Sequence, residues 1–179
     1  MMLAVGCGVL MAQETWGGLK FGMTEGEAQS ALKSRATKTI RDAASEQPVG
    51  SDLYAAIQVT DVKVSDLPGK ANLLFDAKTK KLAQINVSLL LDGSSMSIGS
   101  RMAYNSIIPE SLSAKYGKPL IDFTCPGYGI SCSAKWKDGK QVISLTILRE
   151  LGPGDSLRGE IPKLIMIGYS LAAKPGDDI

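Results

Sequence analysis

Ser133-Ala-Lys-Trp-Lys-Asp-Gly-Lys-Gln-Val-Ile-Ser-Leu-Thr-Ile147 is two alternating apolar–polar runs joined at a turn. Asp138-Gly139 predicts a two-residue hairpin turn of the primed type, whose twist matches that of paired strands. Counting outward from that turn sets Trp136 opposite Gln141 and Ala134 opposite Ile143. Trp136 then shares a face with Ile143, Leu145 and Ile147, while Lys135 and Lys137 point the other way. Trp136 is therefore read as a core anchor ahead of a ligand platform. Strands joined this tightly are antiparallel, and the rest of the chain repeats the pattern.

Upstream, Thr24 followed three residues later by Glu27 has the capping-box arrangement, and Ala28, Ala31 and Leu32 recur at helical spacing to Lys33. Residues 41–52 carry Ser, Gln, Pro48, Gly50 and Ser51 and predict a loop. Residues 53–65 alternate as a strand whose apolar phase changes near Thr60-Asp61, the mark of a bulge. Leu67-Pro68-Gly69 reads as a turn. Strands follow over 71–76 and 82–91, with Lys78, Lys80 and Lys81 in a solvated hairpin between them. Residues 101–116 predict a second helix that Pro109 either interrupts or starts, stopped by Gly117-Lys118-Pro119. Residues 163–171 supply a last strand.

The order α-β-β-β-α-β-β-β-β predicts an α+β fold, an antiparallel β-sheet of about six to seven strands with two helices packed on it. Residues 13–179 form a single domain on this reading. The second half echoes the first, so either one sheet carries both helices or two αβββ units, 13–92 and 93–179, lie side by side.

The chain of 179 residues has 44% hydrophobic residues, 21% charged residues and a net charge of +2. That composition excludes a disordered chain and a nucleic-acid-seeking basic one. It contains no histidine, which removes Ser-His-Asp and Cys-His catalysis, imidazole metal sites and imidazole pH switching together. No stretch approaches the roughly 20 apolar residues of a membrane-spanning helix. Residues 1–12, MMLAVGCGVLMA, carry no charge, and Gln13-Glu14-Thr15 turns polar at once. This is the shape of a signal-peptide apolar region followed by its cleavage site. No Lys or Arg precedes Lys20, so the expected start lies upstream of Met1. Cys7 fits the interior of that apolar region better than a lipidation site.

Two cysteines remain, Cys125 and Cys132, flanking Pro-Gly-Tyr-Gly-Ile-Ser. An even count in an exported chain predicts a disulfide, whereas a metal or redox pair would call for histidine or a C-x-x-C spacing. The pinned loop presents Tyr128 as a candidate binding residue, because preorganisation lowers the cost of binding.

Other motifs weigh less. Gly154-Asp-Ser-Leu157 spells the signature of the GDSL hydrolases, but here it lies near the C-terminus with no histidine to activate the serine. Ser30-Ala-Leu-Lys33 has the S-x-x-K spacing without its S-x-N or K-T-G companions and reads as the outer face of the first helix. Glu25 and Glu27 suit the positive end of a helix dipole. Asp177/Asp178 form no recognisable carboxylate site. No catalytic, cofactor-binding or metal-ligating residue is assigned, and no cofactor is expected.

Leu19-Lys-Phe-Gly-Met-Thr24 followed by a short acidic helix, together with Leu112-Ser-Ala-Lys-Tyr-Gly-Lys-Pro119, resembles small bacterial exported domains. These include SmpA/OmlA-type outer-membrane assembly lipoproteins and β-lactamase-inhibitor-like proteins. The resemblance covers about a tenth of the chain and implies a non-catalytic binding or assembly domain with helices packed on an antiparallel sheet. The expected function is an exported, non-catalytic module in the periplasm or outside the cell. It would bind another envelope or secreted protein, neither nucleic acid nor the membrane interior. The alternatives are a secreted inhibitor that blocks a hydrolase through an exposed sheet face or the Tyr128 loop, and an enzyme working without histidine.

Overall fold

The structure is a computed structural model, and it describes residues 18–32, 35, 37–40, 52–91, 96–125, 131–149 and 161–172. Its elements are α1 (Glu25–Ala31), β1 (Thr37–Thr39), β2 (Leu53–Val64), β3 (Leu67–Asp76), β4 (Leu82–Leu90), α2 (Ile98–Tyr116), β5 (Ile121–Thr124), β6 (Ser131–Asp138), β7 (Gln141–Arg149) and β8 (Pro162–Leu171). The strands form one eight-stranded sheet in the order β1-β2-β3-β4-β8-β7-β6-β5, antiparallel at every pairing. Each helix precedes a four-strand meander. The meanders meet at β4 and β8, paired from Gln84↔Ser170 to Leu90↔Leu164.

This corrects the sequence expectation of about six to seven strands in the order α-β-β-β-α-β-β-β-β. Among the described residues the strands number eight, and β1 intervenes between α1 and β2. β1 is Thr-Lys-Thr and exposed at all three positions, so no apolar alternation announces it. Its order comes from backbone pairing alone, Thr37↔Val59 to Thr39↔Ile57.

Two turns also differ from expectation. Leu67-Pro68-Gly69 lies inside β3, and the β2–β3 turn is Ser65-Asp66, closed by the pair Val64↔Leu67. Proline is tolerated there for a simple reason. Leu67 closes the hairpin on β2, so Pro68 turns its nitrogen to the β4 side, where pairing stops at Lys70↔Ser88. Gly69 is required by crowding, because a Cβ there would sit 2.7 Å from the Ser88 carbonyl oxygen and against the Leu89 side chain. In the β6–β7 hairpin Asp138 pairs with Gln141, so the loop is Gly139-Lys140 and Trp136 faces Ile143. Gly139 takes the positive φ (58°) at the first loop position, the glycine position of a type II′ turn.

Ser65 and Asp66 both adopt positive φ, 46° and 66°, the pattern of a type I′ turn, for which Asn-Gly is the favoured pair. The double variant S65N/D66G should therefore be more stable than the parent by about 1 kcal/mol. Urea denaturation should show the midpoint rising at unchanged slope. A midpoint that falls would contradict this account of the turn.

Alternation sends one side of each strand to the core. A single apolar row runs through paired positions from Ile57 to Leu73, Ile85, Tyr169, Ile143 and Trp136. Both helices cover this face. α1 contributes Ala28 and Leu32, and α2 contributes Ile108 and Leu112, all to the same buried cluster. Trp136 Nε1–H donates to Ser113 Oγ of α2 at 3.3 Å. Thr24 caps α1 in a capping box: Thr24 N–H donates to Glu27 Oε2 at 2.7 Å, and Glu27 N–H donates to Thr24 Oγ1 at 3.4 Å. α2 starts at Ser97, whose hydroxyl accepts from Ser100 N–H, and runs 19 residues through Pro109 to Gly117 at φ 80°.

Candidate binding face

Among the described residues, the core-facing side of the sheet carries α1 and α2 and the opposite side carries no helix, although Ala55 and Leu74 on that side are buried. Its residues follow from register. One row reads Leu90, Leu164, Leu148, Ser131; the next Lys70, Ser88, Met166, Thr146, Ser133. A third reads Lys38, Gln58, Asn72, Asn86, Gly168, Ser144, Lys135. A fourth reads Ala55, Leu74, Gln84, Ser170, Val142, Lys137. The centre is neutral, built from amides, hydroxyls and aliphatic side chains. The lysines stand toward the row ends, and no carboxylate occupies any of these positions.

The middle row is held together laterally. Gln58 Nε2 donates to Asn72 Oδ1 at 2.8 Å, and Gln84 Nε2 donates to Asn86 Oδ1 at 2.7 Å. The first bond crosses from β2 to β3, and the second joins two residues of β4 in neighbouring rows; together they fix side-chain direction in a polar floor. Gly168 lies in that floor, where a Cβ would meet Ser144 Oγ at 2.6 Å and Asn86 Oδ1 at 3.4 Å.

Across β2, β3, β4 and β8 the face deepens into an open trough of about 590 Å³, lined by Gln58, Thr60, Pro68, Gly69, Lys70, Ser88, Leu90 and Leu164. Leu90 is 63% exposed at its edge, although Leu89 beside it is fully buried and Leu91 almost so. The bulge between Val59 and Val62 is where β2 changes its apolar phase, and it places Thr60 on the trough wall.

The residues singled out from sequence fall elsewhere. Cys125 and Cys132 form a disulfide, tying β6 to the end of β5. Cys132 is fully buried in the core cluster, and Arg149 Nη2 donates to Cys125 Sγ at 3.1 Å and to Asn105 Oδ1 of α2 at 3.5 Å. Tyr128, residues 1–12 with Cys7, Lys33, the Gly154–Leu157 motif and Asp177/Asp178 lie outside the described residues. Ser30 Oγ donates to the Gly26 carbonyl at 2.8 Å, spending its proton on its own helix. Glu25 Oε1 accepts from Tyr54 O–H at 2.5 Å, with the Lys80 ammonium 4.9 Å from the centre of the Tyr54 ring.

Titration is perturbed where structure demands it. Burial, with the bond to Glu25, pushes the Tyr54 phenol up to about 12. Burial, with Tyr116 beside it, raises Tyr169 as well. Hydrogen bonds from Thr24 hold the Glu27 carboxyl below its ordinary value. Those from Thr79 and Lys78 do the same for Asp76 in the β3–β4 turn. Among the described residues no group of His, Cys, Asp and Glu is arranged to hold a metal ion, and no helix is long and apolar enough to cross a membrane.

From sequence an exposed sheet face is named without its residues, because motifs do not mark a face that carries no reactive cluster. Its signal was present in the out-of-phase positions of the strands. Gln84, Asn86 and Ser88 alternate with Ile85, Val87 and Leu89, and Ser144 and Thr146 with Ile143, Leu145 and Ile147. Neutral polar residues recur there instead of the charges that commonly cover a solvated sheet. Comparison with protein-family models, with curated proteins and with solved structures finds no match for this chain.

Proposed function

We propose that this protein is an exported, non-catalytic binding module that holds a partner protein against its helix-free sheet face. The observation that carries the reading is the contrast between the two sides of one sheet. One side is sealed by both helices. The other offers a neutral, laterally bonded centre with lysines around it and an exposed Leu90. Depletion of charge at the centre with polar groups at the rim is the composition of a protein–protein interface. The Cys125–Cys132 disulfide favours an oxidising compartment, in keeping with the apolar segment at residues 1–12. The perturbed side chains described above serve caps, turns and core contacts, which supports a binding role over a catalytic one.

Site-specific photocrosslinking in cells of the native host tests this reading. A crosslinking residue replacing Thr146 or Ser133, on the helix-free face, should trap a discrete partner. The same residue at Glu110, exposed on α2, should not. Trapping from Glu110 alone, or no trapping from the face, would contradict the proposal.

A further inference from the structure

We infer that the β2–β3–β4–β8 trough receives an acidic, aliphatic segment of the partner protein, with an apolar side chain seated among Pro68, Leu90 and Leu164 and carboxylates set against Lys63 and Lys70. The inference rests on the binding role proposed above and names what the partner must present. The trough's dimensions suit a single projecting side chain and its neighbours rather than a flat contact. Leu90 and Leu164 are cross-strand partners, and Leu90 stands out from between two leucines that the core conceals. Covering it against an apolar group removes that surface from water, the main gain available here.

Charge supplies the direction. Lys70 lines the trough, Lys63 is paired with Pro68 on its wall, and Lys38 is paired with Gln58. Among the described residues none of the three takes part in an ion pair. Of the nearby carboxylates, Asp61 is held by Arg35 at 3.4 Å, and Asp66 lies in the exposed β2–β3 turn, in no ion pair with Lys63. Three uncompensated ammonium groups around a neutral floor attract acidic segments and repel basic ones, which is how rim charges select partners. The floor adds neutral hydrogen-bonding groups from the bonded Gln58–Asn72 pair.

A random linear peptide library selected on the full-length, disulfide-bonded protein tests the inference. Enriched sequences should place Asp or Glu beside Leu, Ile or Phe. A synthetic consensus peptide should bind the parent protein and lose about tenfold or more in affinity against K63E/K70E and against L90D. It should bind K115E, altered on α2 away from the face, as it binds the parent. Binding should weaken as salt is raised, as attraction between exposed charges requires. No enrichment, enrichment of basic or uncharged sequences, or binding that survives L90D would overturn the inference. Circular dichroism establishes that each variant is folded. The Thr146 and Ser133 crosslinks separate the two claims: if they persist while the peptides fail, the face binds a partner and the trough does not choose it by acid and apolar side chain.

Discussion

W136A should destabilise the fold by about 3–5 kcal/mol, the largest effect expected of any single substitution in this chain. Trp136 is 1% exposed and heads the large side chains buried in the core. It stands on β6 opposite Ile143, and its indole N–H donates to Ser113 on α2. Truncation to alanine removes the apolar surface, leaves a cavity between sheet and helix, and strips Ser113 of its donor. W136F, which keeps a ring but no donor, should recover part of the loss. For a chain of this length the alanine variant should melt roughly 6–20 °C below the parent. A shift of only a degree or two would mean that α2 is not anchored through this residue.

The disulfide ranks next. Cys125 and Cys132 are seven residues apart, and closing so short a loop restricts the unfolded chain by about 2–3 kcal/mol in the chain-entropy model. C125A/C132A is the appropriate variant, since serine would place a hydroxyl in the buried position of Cys132. Arg149 would also lose the sulfur that its guanidinium now meets beside α2. The expected result is a loss of about 2–3 kcal/mol in urea denaturation, matched by the parent protein after reduction. Equal stability of the oxidised and reduced parent would show that the loop is ordered without the bond.

What the sequence revealed about this fold depends on which interactions order each element. The sequence places Trp136, Ile143, Leu145 and Ile147 on one face although the hairpin loop lies one residue later than Asp138-Gly139 predicts. The shift changes each partner by two positions, from Gln141 to Ile143 for Trp136, and a shift of two preserves the face. The capping box of Thr24 and Glu27 was legible because it is local. β1 was not, since Thr-Lys-Thr has no apolar phase and exists through pairing with a distant strand. Pro68 reads as turn punctuation because nothing in sequence shows that its nitrogen points to the β4 side beyond the last β3–β4 pair, Lys70↔Ser88. The candidate site was the least legible part. Gln58, Asn72, Asn86 and Ser144 are far apart in the chain, and only the joining of β4 to β8 sets them in one row.

That row also supplies the most direct test of the central claim, that the helix-free face is where a partner docks. Gly168 occupies its middle, so G168L would push aside the Ser144 hydroxyl and project a side chain out of the centre of the face, away from the core side of β8. Capture by tagged parent protein from the native envelope and secreted fractions, beside capture by G168L of matching circular dichroism, is the measurement. The account predicts a partner retained by the parent and lost from the folded variant; equal recovery by both would contradict it.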